Sequence, residues 1–291
     1  MWTGIELLYH LQELRMEYPI LGDLFQAMSS RIVYLVLPIM IVAAFYWTID
    51  KKQGEILGLS CIPAMVFSML SKYGIGQPRP WEIDPRIEHV SGVHANGPSL
   101  PSGHTAMTVS SFIPAAIFGR NVWFACSMIV LTSLVMFSRL ILCVHTPLDI
   151  IAGLAVGALS AVTAWKAVDW AYGNDRRHLF IDLVYVALFT ILFATALFVW
   201  NVETTKVLEY MGFIYGMILG KVLERRYVSY KVPDISLKNK AKIYVAGMLA
   251  DALILLIPLS LIPGYGTAIG GFAMMLWLFY LYPKIIMSNG L

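Results

Sequence analysis

The sequence predicts an all-α protein, a polytopic membrane helix bundle. Of its 291 residues, 58% are hydrophobic and only 13% are charged, and the mean hydropathy is +0.71. That is far more apolar than an average soluble domain. Apolar runs suited to crossing a hydrocarbon core of roughly 30 Å recur about nine times. They lie near 31–49, 54–72, 104–118, 122–142, 148–168, 179–200, 207–221, 243–262 and 267–283.

Taken in chain order, residues 1–30 form an N-terminal segment. From Thr3 to Arg15 it interleaves Ile5, Leu7, Leu8, Leu11 and Leu14 with Glu6, Glu13 and Arg15. That mixture predicts an amphipathic helix lying in the membrane interface. It lacks the positive start, continuous apolar stretch and small-residue cleavage site of a signal peptide. The first two spans then lead into the longest polar interruption, from about Tyr73 to Pro101, rich in Pro and Gly and carrying Trp81, Glu82, Asp84, Arg86, Glu88, His89 and His94. Loops of that length are usually functional or disordered.

Among the later spans, 104–118, 207–221 and 267–283 are short or interrupted by glycine. Gly153 and Gly157, then Gly212, Gly216 and Gly220, then Gly266 and Gly270 repeat at four-residue spacing, the mark of closely packed helices. A second polar interruption, about Leu223 to Lys242, is strongly basic and suits topology setting and anionic headgroups. Asp251 sits inside an apolar run and is expected to be structurally paired in the interior. Cys61, Cys126 and Cys143 show no ligand spacing and read as small buried residues, so neither a disulfide framework nor a metal site is expected.

With alternating spans, one face collects Lys51, Lys52, Arg120, Arg176, Arg177, Lys221, Arg225, Arg226, Lys231, Lys238, Lys240, Lys242 and Lys284. The positive-inside rule makes that face cytoplasmic. The opposite face has fewer cations, and four of them, Lys72, Arg79, Arg86 and Arg139, lie in or near three polar clusters. The clusters are thus expected to face away from the cytoplasm.

Those clusters carry the chemistry. Lys72 with Arg79-Pro80, Pro101-Ser102-Gly103-His104, and Ser138-Arg139 with His145 and Asp149 supply anion-holding cations and two histidines fit to act as nucleophile and acid. The tetrapeptide precedes an apolar run, where unpaired N–H groups and the helix dipole attract anions. Gly103 lets backbone approach a ligand, and Ser102 suits both helix capping and ligand contact. His145 and Asp149, four apart beside Pro147, fall on one face of a helix start, where the carboxylate can fix the imidazole tautomer. Lys72 and Arg139 also stand at span ends, where snorkelling cations are common. Their common side of the membrane favours a shared site.

Lys72-x6-Arg79-Pro80, Pro101-Ser102-Gly103-His104 and Ser138-Arg139-x5-His145-x3-Asp149 together resemble the three-part signature of the type 2 phosphatidic acid phosphatase superfamily, with every position filled. The resemblance implies a six-helix phosphatase core over about 31–200 and, over 201–291, an extension of about three transmembrane helices. It implies a metal-independent hydrolase with no cofactor. His145 would form a phosphohistidine with Asp149 orienting it, and His104 would protonate the leaving oxygen. Lys72, Arg79, Ser102, Gly103 and Arg139 would hold the phosphoryl oxygens. A lipid phosphate or isoprenoid diphosphate is the leading substrate class, and membrane lipids rather than nucleic acid are the expected partners.

Other readings stand beside it. The branch that hydrolyses glucose 6-phosphate would need a polar pocket, for which the 81–99 loop with His89 and His94 offers candidates. A lipid phosphotransferase would use nearly the same residues. The superfamily's vanadate-dependent haloperoxidases are soluble, unlike this composition. A transporter-like protein would explain the spans but would not require two histidines, three cations and Asp149 in this order.

Overall fold

A computed structural model describes residues 4–93, 95 and 97–289, and every regular element among them is helical. Thr3 and His94, named above, lie outside the described residues. Gly4, at φ 69° in the left-handed region that glycine tolerates, opens α1 (Ile5–Glu17). Pro19 at a first helical position opens α2 (Pro19–Met28). After Ser29 and Ser30 the chain continues as a π-helical turn (Ile32–Val36), α3 (Leu37–Ala44) and a second π-helical turn (Phe45–Ile49). Then follow α4 (Lys51–Ile75) and the short α5 (Pro80–Ile83).

Side-chain caps set the next starts. Ser102, Asn121 and Asn174 accept backbone N–H groups at the openings of α6 (Gly103–Phe118), α7 (Val122–Ile141) and, beyond α8 (Pro147–Ala171), α9 (Asp175–Phe198). The chain ends with α10 (Thr204–Tyr227), α11 (Leu237–Leu261), α12 (Gly266–Leu276), a π-helical turn (Trp277–Leu281) and α13 (Tyr282–Ser288).

Among the described residues, seven stretches are long and apolar enough to cross a membrane: Pro19–Ile49, Lys51–Ile83, Val122–Ile141, Pro147–Ala171, Asp175–Phe198, Leu237–Leu261 and Gly266–Ser288. The first begins earlier than the predicted 31, because Leu21, Leu24 and Phe25 continue the apolar character through α2. The other two predicted runs are helical as well. The 16-residue α6 is almost wholly buried, and α10 carries Lys206, Glu209, Lys221, Glu224, Arg225 and Arg226.

The chain forms two compact units that alternate along the sequence. The first comprises Met1–Ile39 and Leu57–Ala164. Within it α1 and α2 pack on each other and on α7, and α6 packs on α7. Gly153 and Gly157 of α8 lie against α6: a methyl on either would come within 2.6 Å of the Ser102 or Ala106 carbonyl oxygen. On α1, Gln12 and Arg15 join Ile5 and Leu8 on the buried face, while Leu7 and Leu14 are exposed. The polar pair turns inward because its hydrogen bonds are met there. Gln12 donates to Arg86 O and accepts from Glu88 N, and Arg15 donates to Ile141 O and Glu88 O.

The second unit comprises Met40–Ile56 and Trp165–Leu291. Here α10 packs on α9 and α12, and α11 packs on α12. Any side chain at Gly212 or Gly216 would run into the carbonyl oxygens of Ala268 or Phe272. A buried ionic network joins α4, α9 and α10. Lys221 Nζ lies 2.7 Å from Glu55 and 3.4 Å from Asp182, Arg225 pairs with both, and His178 stands 3.6 Å from Glu55. Lys51 pairs with Glu224 at 2.7 Å. Lys221, Arg225 and Lys51 are therefore not free surface cations, because a buried charge needs its counter-charge.

Two expectations need correction. Asp251 is 1% exposed, and among the described residues neither carboxylate oxygen has a hydrogen-bond partner, so the expected interior pairing does not form there. The cysteines are unbonded, but only Cys143 is buried; Cys126 is exposed on α7 beside exposed Trp123, Ile129 and Val130.

Candidate active site

All the sequence-predicted site residues fall in the first unit. Each is set by a helix end. Lys72 is in the last turn of α4, Arg79 precedes α5, Ser102 caps α6, and His104 lies in its first turn. Arg139 is in the last turn of α7, while His145 and Asp149 bracket the start of α8. Helix ends leave backbone groups unpaired, and the loops joining them return here to meet those groups.

The start of α8 is a reciprocal cap. Thr146 N donates to Asp149 Oδ2 at 2.7 Å, and Asp149 N donates to Thr146 Oγ1 at 3.4 Å. This fixes the carboxylate, which also accepts from Ser99 Oγ at 2.5 Å and lies 3.3 Å from His145 Nδ1. A carboxylate only accepts, so Nδ1 carries the proton and Nε2 keeps its lone pair. Nε2 faces Arg79 Nη1 at 3.3 Å. Arg79 is held in turn by Gly97 O at 2.8 Å and Val144 O at 2.7 Å. Lys72 donates to Pro98 O at 3.0 Å and Ser99 O at 3.4 Å, so the loop before the Leu100–Pro101 peptide links Lys72 to the His145–Asp149 pair.

His145 is 2% exposed, and its basicity is pushed well below the ordinary imidazole range, first by burial and then by Lys72, Arg79, Arg139 and His104. It is a neutral imidazole surrounded by positive charge. On the other side, His104 Nε2 meets the backbone carbonyl of Ser29 at 3.2 Å, and Arg139 Nη1 donates to Ser29 Oγ. The Tyr34 ring lies 3.9 Å from the His104 ring.

Ser102 helps to cap α6: its hydroxyl accepts from Thr105 N and Oγ1, and its N–H donates to Asp149 O. That tie couples the start of α6 to the start of α8. Gly103 packs near Ser68, whose buried hydroxyl has no hydrogen-bond partner among the described residues. In the polar loop, exposed His89 stacks on Trp81 at 3.9 Å, and Trp81 lies under the Arg79 guanidinium at 5.8 Å.

Sequence reasoning missed Ser99, Thr146, Ser29 and Tyr34. Thr146-x2-Asp149 is a capping-box pattern and Ser99 stands two residues before the Pro101 motif, so both carried a local signal. Ser29 and Tyr34 carried none.

The sequence profile of the PAP2 superfamily matches residues 54–172. The chain is 27% identical over 139 residues to YbjG of Escherichia coli strain K12, a protein named provisionally as an undecaprenyl-diphosphatase; the match covers 46% of this chain and 68% of that one. It is 33% identical over 109 residues to an undecaprenyl-diphosphatase of Sulfolobus acidocaldarius, covering 37% of this chain and 52% of that one. The chain thus spans about half the length of the second relative. No solved structure matches it.

Proposed function

Residues 54–172 belong to the PAP2 superfamily, and from that premise we propose that this multi-pass membrane phosphatase hydrolyses an isoprenoid diphosphate or lipid phosphate through a phosphohistidine, without a metal ion. The supporting observation is His145 held between Asp149 on Nδ1 and Arg79 on Nε2. The names of both relatives favour the isoprenoid diphosphate.

In the first step the Nε2 lone pair of His145 attacks phosphorus, and the bond from phosphorus to the leaving oxygen breaks. That oxygen takes a proton from His104. Asp149 stabilises the charge developing on the imidazole, while Arg79, Arg139 and Lys72 meet the three phosphoryl oxygens. In the second step water attacks phosphorus and gives a proton to His104. The phosphorus–nitrogen bond breaks, its electron pair returns to Nε2, and inorganic phosphate leaves. Three fixed cations offset the phosphoryl charge that a metal ion would otherwise neutralise. The basic segments with Arg120, Arg176, Arg177 and Lys231 to Lys242 suit the cytoplasmic face, which orients this site away from it.

The test is phosphate release by detergent-purified protein in EDTA from an isoprenoid diphosphate, phosphatidate, sphingosine phosphate and glucose 6-phosphate, alongside His145→Ala. Release from the first, abolished in the variant, with acid-labile, base-stable phosphate trapped on the wild-type protein, is the expected result. Turnover by His145→Ala would sink the mechanism, and release chiefly from glucose 6-phosphate would replace the substrate class.

A further inference from the structure

The two histidines of the site are held by different kinds of partner. His145 has a carboxylate, Asp149, within 3.3 Å of its ring nitrogen. His104 has a neutral one, the Ser29 carbonyl at 3.2 Å from Nε2. The same residue's hydroxyl accepts from Arg139 Nη1, so Ser29 touches one predicted phosphate-holding cation and one predicted proton donor at once. Five residues along, the Tyr34 ring lies 3.9 Å from the His104 imidazole at an interplanar angle of 41°. Ser29 is 5% exposed, and the π-helical turn that carries Tyr34 packs on α6, the helix His104 opens. π-Helical turns recur where a side chain must be re-aimed at a functional site. Both residues precede the segment 54–172 that matches the superfamily.

The difference in partner fits the difference in task. A nucleophile gains from a carboxylate that stabilises its developing positive charge. An acid has to be aimed yet must release its proton, and a carbonyl orients a ring without adding a formal negative charge. Because a carbonyl only accepts, Nε2 bears a proton, and on this reading Nδ1 is the nitrogen that exchanges a proton with the leaving oxygen.

We propose that Ser29 and Tyr34 are positioning residues of the phosphatase site, Ser29 fixing the His104 tautomer through its carbonyl and the Arg139 guanidinium through its hydroxyl, and Tyr34 pinning the face of the His104 ring. The proposal rests on the reading of His104 as the acid, and the experiment separates the two.

Full-length Tyr34→Leu, Tyr34→Phe, Ser29→Ala and His104→Ala are assayed in detergent with phosphatidate, whose leaving alkoxide needs a proton, and with p-nitrophenyl phosphate, whose leaving group does not. Tyr34→Leu is expected to lower kcat about 10-fold or more on phosphatidate and much less on the nitrophenyl ester, as partial loss of general-acid catalysis requires. Tyr34→Phe keeps the ring and should retain more of the phosphatidate rate than Tyr34→Leu. Ser29→Ala keeps the carbonyl, so it should leave kcat near wild type while raising KM and the inhibition constant of vanadate several-fold. Equal losses on both substrates, or none, for Tyr34→Leu would overturn the proposal if His104→Ala still discriminates between them. Failure of His104→Ala to discriminate would overturn the acid assignment and this proposal with it. If Tyr34→Leu does not fold, unchanged KM and vanadate inhibition in Ser29→Ala would suffice to overturn it.

Discussion

Arg79 and Asp149 grip opposite edges of one imidazole: Nη1 of Arg79 lies 3.3 Å from Nε2 of His145, and Oδ2 of Asp149 lies 3.3 Å from Nδ1. In the proposed mechanism the cation marks where a phosphoryl oxygen is received, and the anion sets which nitrogen is nucleophilic. Substitutions on the two edges should fail differently.

Arg79→Lys keeps the charge but loses the fork that also holds Gly97 O and Val144 O. We expect kcat/KM to fall about 100-fold or more, with weaker vanadate inhibition. Steady-state kinetics with vanadate titration measures both.

Asp149→Asn should preserve the fold of the α8 start yet favour the wrong His145 tautomer. The expected loss in kcat is about 10³–10⁴-fold. Ser99→Ala, which removes only the 2.5 Å hydrogen bond to the same carboxylate, should cost far less, about 10-fold.

His145 titrates well below the ordinary imidazole range because of burial and the surrounding cations. Its acidic limb in a kcat/KM profile should therefore lie well below the unperturbed value of about 6.5. The effect on stability has a definite sign. In the unfolded chain His145 takes up its proton near pH 6.5, whereas the folded site resists until lower pH, so stability falls as pH drops below about 6.5. Thermal denaturation across pH 5–8 should show that loss, and it should shrink in His145→Ala.

Lys221 sits 2% exposed between Glu55 and Asp182. Lys221→Met leaves buried carboxylates with too little counter-charge and should destabilise the protein by about 3–5 kcal/mol. Adding Glu55→Gln should recover part of that loss, read as the detergent melting temperature of single and double variants.

Gly157→Val should perturb the site from a distance. Its side chain would press on Ala106 O and Val109, displacing α6 and with it His104. Activity should fall more than helicity, compared by kinetics and circular dichroism.

Much of this was legible in the sequence, and the reason differs by element. Lys72, Arg79, His145 and Asp149 converge because each is tied to a helix end that composition or a cap announces. The glycine spacings forecast contacts that a methyl would break. Asp251 was misjudged because nothing in a linear sequence shows which residues face it across the bundle. The same blindness hid the Glu55, Asp182, His178, Lys221 and Arg225 network, whose members come from three separate helices. Ser29 and Tyr34 were invisible for a further reason: Ser29 acts partly through a carbonyl every residue possesses.

Arg15 spans 126 positions of sequence to reach Ile141 O. α1 precedes α7 in the chain, so the Arg15 guanidinium must wait for the end of α7 before it finds the Ile141 carbonyl. Closure of so long a loop is entropically late. A nascent chain ending before α7 would hold α1 without the Ile141 carbonyl that seats its guanidinium, and without Arg139, His145 and Asp149.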